Sequence, residues 1–403
     1  MTTTDSEPHS AIAGTATRGS APSFQFASPH GALRATGVRA TAPDPGGSRG
    51  DLACRVSQFL QHDVGGSGPA LVAGAVPFSP GEPAHLVVPE VVHRASALER
   101  GAGRGAEPVG PGCRARPVPE PQDYELGVVE LLDRVAAGEV SKVVLARSLE
   151  ITAPERIDVA GVLDNLAAAD PDSYAFAVDV PPREPGSSSR TFLGASPELL
   201  VSREGLRVRS NPMAGSRPRS DDPVEDRRRA EELAVSEKDL REHAAVVDAV
   251  VAGLRPYCRE LVVPETPSVV STAAMWHLAT EITGELHSAE TSALELATAL
   301  HPTPAVCGTP VEPARAAIEQ TEPFQRGYYA GMVGWTDADG DGEWVVAIRS
   351  ADVEERSLRL YAGAGIVAGS DPADELAETA AKFRTALSAM GLDGAATGVD
   401  GAG

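Results

Sequence analysis

The stretch from Tyr361 to Lys382 reads YAGAGIVAGSDPADELAETAAK, and it joins a glycine-rich segment to the start of a helix. A short strand of alternating apolar residues leads into it. Glycine tolerates a positive φ and lets a backbone come close to a ligand, so Gly363, Gly365 and Gly369 predict that the strand breaks here into a turn. We expect that turn to offer backbone N–H groups to an anion.

The residues after the glycines predict a helix. Ser370–Pro372 is typical of a helix start, because a capping side chain precedes a proline at the first helical position. Glu375, Glu378 and Lys382 then share one face, while apolar residues occupy another. A solvated ion pair would also explain Glu378 and Lys382, and a simple turn would explain the glycines. Their spacing, GxGxxxG outside a βαβ unit, does not match a dinucleotide fingerprint.

Composition narrows the class of protein. The chain has 403 residues, of which 42% are hydrophobic, enough for one large domain or two closely packed halves. It has no apolar run of membrane-spanning length and no apparent secretory signal, so we expect a cytoplasmic protein without a membrane partner. The net charge of −22 disfavours nucleic acid as a partner. An anionic metabolite would have to bind through local positive charge, from Arg, Lys, backbone N–H groups or a divalent metal. Disulfides and structural zinc are not expected, because the four cysteines lie far apart.

The chain divides into four parts by its sequence pattern. Residues 1–22 predict a disordered N-terminal arm and residues 391–403 a flexible tail, since both are rich in small residues and glycine. Residues 23–120 alternate short apolar runs with Gly/Pro clusters, which predicts strands and loops. Residues 121–390 show the sharpest patterns. Their helices and strands do not alternate in a βαβ rhythm, which predicts an α+β fold with a large, mainly antiparallel sheet.

Two predicted strands carry charged residues. Lys142 opens the β-rich run SKVVLARSLEIT, where a lysine usually extends to solvent but a desolvated one can give up its proton and act as a base. Glu198 lies inside the run TFLGASPELLVSREGLRVRS, which predicts two strands joined by a turn. Its neighbour Pro197 indicates a sheet edge or a bulge. A carboxyl group among these apolar neighbours would have a raised pKa and could donate a proton.

Further polar groups lie on the segments that follow. NPMAGSRPRSDDP predicts a polar loop containing Gly215–Ser216, and Val224–Leu254 predicts one long helix that carries Glu242. Charge on a long helix is usually solvated, and a lone histidine such as His277 is more often a hydrogen-bonded core residue than a ligand. DADGDG at residues 337–342 resembles the start of a calcium loop, but its twelfth position is not a glutamate and strands flank it. We interpret it as a hairpin turn.

The order of motifs across residues 122–390 resembles the chorismate-binding enzyme family and is most similar to the isochorismate synthases. The segments that carry the resemblance are SKVVLAR, FLGASPELL, NPMAGSRPR, SEKDLREHAAVV, HPTPAVCG, EPFQRGYYAGMVGW, VAIRS and YAGAGIVAGSDPADELAETAAK. HPTPAVCG and AGS favour the isochorismate synthases, because anthranilate and aminodeoxychorismate synthases have a Pro-Ala-Gly-Thr-type wall instead.

The resemblance implies a fold, a reaction and a set of site residues. It implies a monomer with a large antiparallel β-sandwich, helices outside, and residues 121–390 as the chorismate-binding catalytic region. The implied reaction is the reversible, Mg²⁺-dependent conversion of chorismate to isochorismate, for siderophore, salicylate or menaquinone biosynthesis. By the same analogy, Lys142 activates a water for attack on ring C2, Glu198 protonates the departing C4 hydroxyl, and Glu242 and Glu378 hold Mg²⁺. The residues implied to bind the substrate carboxylates or to shape the ring pocket are Gly215, Ser216, His277, Ala305, Val306, Arg349, Tyr361, Gly363, Gly365 and Lys382.

Two departures from the family pattern and three rival functions accompany this interpretation. Arg241 stands where the family has a histidine and Thr309 where it has an aromatic residue; neither is a catalytic group, so we expect activity with an altered magnesium affinity. A salicylate synthase is disfavoured by Gly215–Ser216, and an anthranilate-type aminating enzyme by the wall motif. A non-catalytic chorismate-binding module is disfavoured because both the acid and the base are retained.

Overall fold

The computed structural model describes residues 22–47, 49–62, 68–96, 112–183, 186, 188–272 and 274–390. The described residues form eight helices: α1 (Arg49–His62), α2 (Pro121–Ala136), α3 (Val159–Ala169), α4 (Pro223–Val235), α5 (Glu237–Leu254), α6 (Ala293–Leu300), α7 (Val311–Thr321) and α8 (Pro372–Ala389). None of the helices in this part of the chain combines the length and the apolar character that a membrane crossing requires.

The strands of the described residues form three sheets. They are β1 (Phe24–Ser28), β2 (Gly31–Thr36), β3 (Ala40–Thr41), β4 (Leu71–Val76), β5 (His85–Val88), β6 (Val91–Ala95), β7 (Arg114–Val118), β8 (Lys142–Thr152), β9 (Tyr174–Val180), β10 (Arg190–Ser196), β11 (Leu199–Glu204), β12 (Arg207–Asn211), β13 (Met213–Pro218), β14 (Cys258–Val262), β15 (Ser268–Ser271), β16 (Met275–Ala279), β17 (Ile282–Leu286), β18 (Gly308–Thr309), β19 (Met332–Asp337), β20 (Gly342–Val346), β21 (Ser350–Glu354) and β22 (Ser357–Val367).

Two large antiparallel sheets make the body of the fold. The first runs in the order β18-β8-β22-β21-β10-β9-β1-β2-β6, with β7 also paired to β8, and the second in the order β14-β17-β12-β11-β20-β19-β4-β5-β3. A third sheet, β13-β16-β15, has three strands. The prediction of an α+β fold with large antiparallel sheets is confirmed.

Apolar layers between and outside the sheets hold the sandwich together. Aromatic and aliphatic residues of β1, β9 and β10 meet those of β4, β19 and β20 in one buried cluster, which therefore lies between the two large sheets. A second cluster packs α3 and α8 on the outer face of the first sheet. The third joins α1, α5 and α6 to the second sheet and continues under α2 and α7 to β8. Helices therefore cover the outer faces, and apolar burial is the main stabilising term.

The predicted break at the glycines is wrong. Strand β22 runs unbroken from Ser357 to Val367 and pairs with β8 over its whole length, with Gly363 opposite Ala146 and Gly365 opposite Val144. Neither Gly363 nor Gly365 has a positive φ, and Gly369, after the strand, does. The predicted start of α8 is confirmed, because the Asp371 side chain accepts hydrogen bonds from the backbone N–H groups of residues 373 and 374 and Pro372 follows it.

Glu198 lies between two strands and not inside one. Strand β10 ends at Ser196 in the first large sheet, and β11 begins at Leu199 in the second, so Pro197 and Glu198 form the crossing between the sheets. The run predicted as two strands is therefore three, β10, β11 and β12. Proline ends a ladder because it lacks an N–H group, which is why the chain leaves the first sheet here.

Two further segments differ from their predictions. The predicted polar loop is strand β13, with a positive φ of 75° at Gly215 and a shift in pairing register between Ala214 and Ser216 that marks a bulge. The predicted long helix is two helices, because Ser236 ends α4 and caps α5 by accepting from the N–H of residue 239.

The first part of the chain contains more than strands and loops. Helix α1 was not predicted, and strands β1 to β6 pair into both large sheets. Most of the predicted N-terminal arm (residues 1–22) and all of the tail (residues 391–403) lie outside the described residues. The predicted hairpin at residues 337–342 is confirmed, since β19 and β20 pair around it.

Candidate active site

One cleft brings together all the residues that the sequence analysis selected. It has an empty volume of about 820 Å³, part of which is open to solvent, and lies between strands β8 and β22, helices α5 and α8, and the small third sheet. The selected residues that line it are Lys142, Glu198, Gly215, Ser216, Glu242, His277, Ala305, Val306, Arg349, Tyr361, Gly363, Gly365, Glu378 and Lys382. Their grouping is a finding of the structure, whereas their individual roles stay predictions.

Strand β8 and helix α5 carry the two partners of an ion pair in the cleft. Lys142, at the first position of β8, is 7% exposed, and its Nζ lies 2.8 Å from Oε1 of Glu242 on α5. A Cβ atom on Gly365 would lie 3.0 Å from Cε of Lys142 and 3.4 Å from Oε1 of Glu242. The glycine is therefore required for space beside this pair, and not for a turn.

Glu198 is a buried carboxyl group whose pKa is raised. Its side chain lies at the crossing between the sheets and is 2% exposed. Burial raises its pKa to about 8, although a backbone hydrogen bond at Met213 and the charge of Lys142 act in the opposite direction. At neutral pH the group is mainly protonated, so it can donate a proton to a bound ligand.

Arg349 and Lys382 supply positive charge to the cleft. The Nζ of Lys382 donates to the carbonyl oxygen of Gly363 and to Oε1 of Glu378, both at 2.7 Å. Burial lowers the pKa of Arg349, while the charges of Asp170, the Tyr329 hydroxyl and Glu378 act against that change. A buried guanidinium and an ammonium in one cleft form a binding site for a carboxylated ligand.

The histidine in the cleft is uncharged. Burial, followed by the charges of Arg349 and Lys382, lowers the pKa of His277 to about 3. Its Nε2 lies 3.5 Å from a terminal nitrogen of Arg349, and its strand position is opposite Ser216. The ring is thus a neutral polar group beside Ser216, and it adds no charge to the site.

Two stacked tyrosines form part of the wall, and the sequence analysis identified only one. The rings of Tyr329 and Tyr361 are 4.8 Å apart and nearly parallel. The Tyr361 hydroxyl donates to Asp352 at 3.0 Å, outside the cleft, so the structure does not support its implied role as a carboxylate donor and it offers the cleft its ring. Tyr329 also lines the cleft, and burial raises its pKa to about 12. Its signal was present in RGYYAGMVGW, but the sequence does not show which of the two adjacent tyrosines faces the site.

Residues between the predicted ones complete the lining. Seven lining residues have no role predicted from the sequence: Val144, Pro197, Met213, Ala214, Tyr329, Ile348 and Ala362. Most are apolar and lie next to an identified residue. They had no chemical signal of their own, because a small or aliphatic side chain in a strand is expected in any core.

The carboxylates of Glu242 and Glu378 fit the requirements of a magnesium ion. Both line the cleft, and each receives a lysine hydrogen bond at Oε1. Burial raises the pKa of Glu378, but the charges of Lys382, Lys238 and Arg349 outweigh burial and lower it. The carboxylate is therefore ionised at neutral pH. No cluster of three or more acidic, histidine or cysteine ligands occurs in the described part of the chain. Two carboxylates suffice for Mg²⁺, which keeps several waters and binds substrate oxygens.

The two departures from the family pattern lie differently with respect to the cleft. Arg241 is exposed and does not line it. Thr309 pairs with Lys142 between β18 and β8, so it lies against the strand that carries the lysine. An effect of Arg241 on a bound metal would therefore have to pass through its neighbour Glu242.

Comparisons with known proteins identify the family and relatives of this chain. The sequence pattern of the family described as chorismate binding enzyme matches residues 75–391. The chain is 57% identical over 343 residues to isochorismate synthase DhbC of Bacillus subtilis, covering 85% of this chain and 86% of that protein. It is 41% identical over 325 residues to isochorismate synthase EntC of Escherichia coli K12, covering 80% and 81%.

A solved structure shares the fold. The crystal structure of a 2,3-dihydroxybenzoate-specific isochorismate synthase from Bacillus anthracis, itself described as putative, superposes with a TM-score of 0.85 at 49% identity. The match covers 92% of this chain and 96% of that one, so it includes the strands before residue 120 as well as the cleft.

Proposed function

The chain belongs to the chorismate-binding enzymes, and from that premise we propose that it is an isochorismate synthase, an isomerase that converts chorismate to isochorismate. Support comes from the curated isochorismate synthases at 41% and 57% identity and from the composition of the cleft. Chorismate carries two carboxylates, and the cleft offers Arg349 and Lys382 to bind them, together with Glu198 as an acid and Lys142 as a base.

The observation that carries the proposal is the protonated Glu198 in the same cleft as Lys142. In the reaction, Lys142 acts as the base, and its amine form takes a proton from water as the water oxygen bonds to ring C2. The two ring double bonds shift, the C4–oxygen bond breaks, and Glu198 gives its proton to the departing hydroxyl. One water enters and one leaves, so the atoms and charges balance, and each group exchanges one proton.

The remaining cleft residues bind and orient the substrate in this proposal. Arg349 and Lys382 pair with carboxylates, and the neutral His277 and the Gly215–Ser216 bulge contact the ring carboxylate side. Ala305 and Val306 form an apolar wall against the ring and the enolpyruvyl group. Fixing the ring between the base and the acid supplies the orientation on which a concerted displacement depends.

Magnesium is part of the proposal, since the donor set fits it. Glu242 and Glu378 would hold the ion, which would offset negative charge between these carboxylates and the ring carboxylate. A monomeric state, which the family resemblance implies, and a cytoplasmic location, which the sequence pattern predicts, also belong to the proposal.

The test is an incubation of purified protein with chorismate, with and without Mg²⁺, followed by chromatographic separation of the products. We expect isochorismate to form reversibly and to disappear from the products when a chelator is present. Salicylate and pyruvate would indicate a salicylate synthase. Chorismate that binds but remains unchanged would indicate a non-catalytic module, and either result would refute the proposal.

A further inference from the structure

A buried ion pair lies directly behind the cleft without lining it. Glu322, the residue after α7, and Arg326 have side chains that are 1% and 2% exposed. Arg326 Nε donates to Oε2 of Glu322 at 2.9 Å, and its NH2 nitrogen donates to Oε1 at 2.5 Å. The charges are thus paired through a two-pronged contact, which a guanidinium can make and an ammonium cannot.

The pair fills a gap in the edge of β8. Strand β18 pairs with residues 142–143 on this edge and β7 with residues 148–152, which leaves residues 144–147 between them. There the carbonyl oxygen of Val144 accepts from Arg326 NH2 at 2.7 Å, and the N–H of Ala146 donates to Oε1 of Glu322 at 2.8 Å. Two side chains therefore satisfy backbone groups that a neighbouring strand would otherwise satisfy.

The same guanidinium holds the apolar wall. Arg326 NH1 donates to the carbonyl oxygen of Val306 at 2.8 Å, and the N–H of Val144 donates to the carbonyl oxygen of Cys307 at 2.8 Å. The wall of Ala305 and Val306 and the strand that begins with Lys142 are thus attached to one side chain. Their separation is fixed from behind, by contacts that do not involve the substrate.

We propose that Glu322 and Arg326 are positioning residues that set the distance between the Lys142 base and the Ala305–Val306 wall; this inference rests on the proposed function. Replacing a buried ion pair with apolar residues is often neutral for stability, so stability alone is a weak reason for these charges. A fully hydrogen-bonded fork that joins a strand to a loop fixes geometry. Misplacing reacting groups by about 1 Å can cost on the order of 10²-fold in rate.

The expected consequence is a selective loss of turnover. In Arg326→Lys, the charge remains but the fork is lost, so the wall and the base can shift relative to each other. We expect kcat to fall roughly tenfold or more, while KM for chorismate stays within about twofold because Arg349 and Lys382 are unchanged. The peptide covering residues 142–147 should exchange its amide hydrogens faster, and the peptide covering residues 174–180 should not.

The experiment compares Arg326→Lys and Glu322→Gln with Arg228→Lys and Glu232→Gln, which alter an exposed pair of the same spacing on α4. Kinetics are measured per folded molecule, below the unfolding transition of each variant, and Glu322→Gln provides the test if Arg326→Lys does not fold. A lowered Tm with wild-type kcat would overturn the inference and leave the proposed function intact. A wild-type protein that does not convert chorismate would overturn both.

Discussion

Glu198 acquires its chemistry from its position between the two large sheets. It belongs to neither strand, although its carbonyl oxygen accepts from the N–H of Val346 in β20 at 3.2 Å, and its side chain is enclosed, so burial raises its pKa to about 8. An acid that must be protonated loses activity as it ionises. We expect kcat/KM for chorismate conversion to fall as the pH rises through about 8, because kcat/KM reports the free enzyme, and a pH–rate profile of the wild-type protein measures this.

A substitution tests whether Glu198 is the proton donor. Glu198→Gln keeps the shape but cannot donate a proton, so kcat should fall by roughly 10²–10⁴-fold. Glu204→Gln, an exposed change on β11, is the matched control and should be unaffected. Near-normal turnover by Glu198→Gln would show that the acid lies elsewhere.

The raised pKa of Glu198 also predicts an effect on stability. The unfolded carboxyl group titrates near its ordinary value of 4.5 and the folded one near 8, so folding loses stability as the pH rises between these values. Glu198→Gln has no such titration. Its Tm relative to wild type should therefore increase from pH 5 to pH 8, as measured by thermal unfolding, whereas a constant difference would contradict the raised pKa.

Gly365 makes room for the Lys142–Glu242 pair, so adding one methyl group tests the geometry of the cleft. In Gly365→Ala the new carbon would lie 3.0 Å from Lys142 Cε, and the lysine must shift. We expect kcat to fall at least tenfold with little change in Tm, because one flexible side chain can move. The control must add bulk without straining the backbone. Ala364→Val, on the opposite face of β22, does this and tests general crowding of the strand, whereas Gly205→Ala does not because Gly205 has a positive φ. Unchanged turnover in Gly365→Ala would mean that the ion pair tolerates displacement.

At the scale of the element, strands and helices with a clear period were predictable, and junctions were not. The runs that became β8 and α8 had strong local patterns and were predicted correctly. The glycines of β22 were misread because a glycine in a turn and a glycine beneath a ligand pocket look alike in sequence, and only the facing Lys142 distinguishes them. The break between α4 and α5 depends on one capping serine within a pattern that otherwise continues.

The same limit applies to the site. The charged residues of the cleft were identifiable because the family resemblance connects segments that are far apart in sequence. Tyr329 and the Glu322–Arg326 pair lay inside a quoted motif without an assigned role. Their significance depends on which backbone groups they contact, and local patterns do not encode such long-range contacts.

The start of α8 provides a test of whether a helix cap affects the site. Asp371 accepts from two N–H groups of the first turn, and the helix carries Glu378 and Lys382. Asp371→Ala should lower the free energy of unfolding by about 1 kcal/mol and raise KM for chorismate, because the first turn frays. Asp222→Ala removes the corresponding cap of α4, which carries no cleft residue, and should lower stability without changing KM. Equal KM values in both variants would show that the cap of α8 does not affect chorismate binding.

At the scale of the whole molecule, the cleft is built from segments that the chain visits at long intervals. Residues 213–281 lie between β12 and β17, which pair with each other in the second large sheet, and within this segment β14 also joins that sheet. The segment supplies Gly215, Ser216, Glu242 and His277, while the rest of the chain supplies Lys142 from β8, Lys382 from α8 and Arg349 from between β20 and β21. The Lys142–Glu242 pair thus joins the side of the cleft formed by β8 to the side formed by residues 213–281. The cleft therefore depends on the fold as a whole.

The net charge of −22 gives a prediction for the whole protein. Acidic residues outnumber basic ones by 57 to 35, so like-charge repulsion opposes the compact state. Salt screens this repulsion over a length of about 10 Å at 0.1 M, while the buried pairs are screened much less. We therefore expect Tm to rise when KCl is increased from low ionic strength to a few tenths molar in the absence of Mg²⁺. Calorimetry at several KCl concentrations measures the effect, with sucrose as a control that adds no ionic strength. A Tm that falls with KCl would mean that exposed ion pairs, such as that of Arg134 with Glu130, contribute more than the overall repulsion.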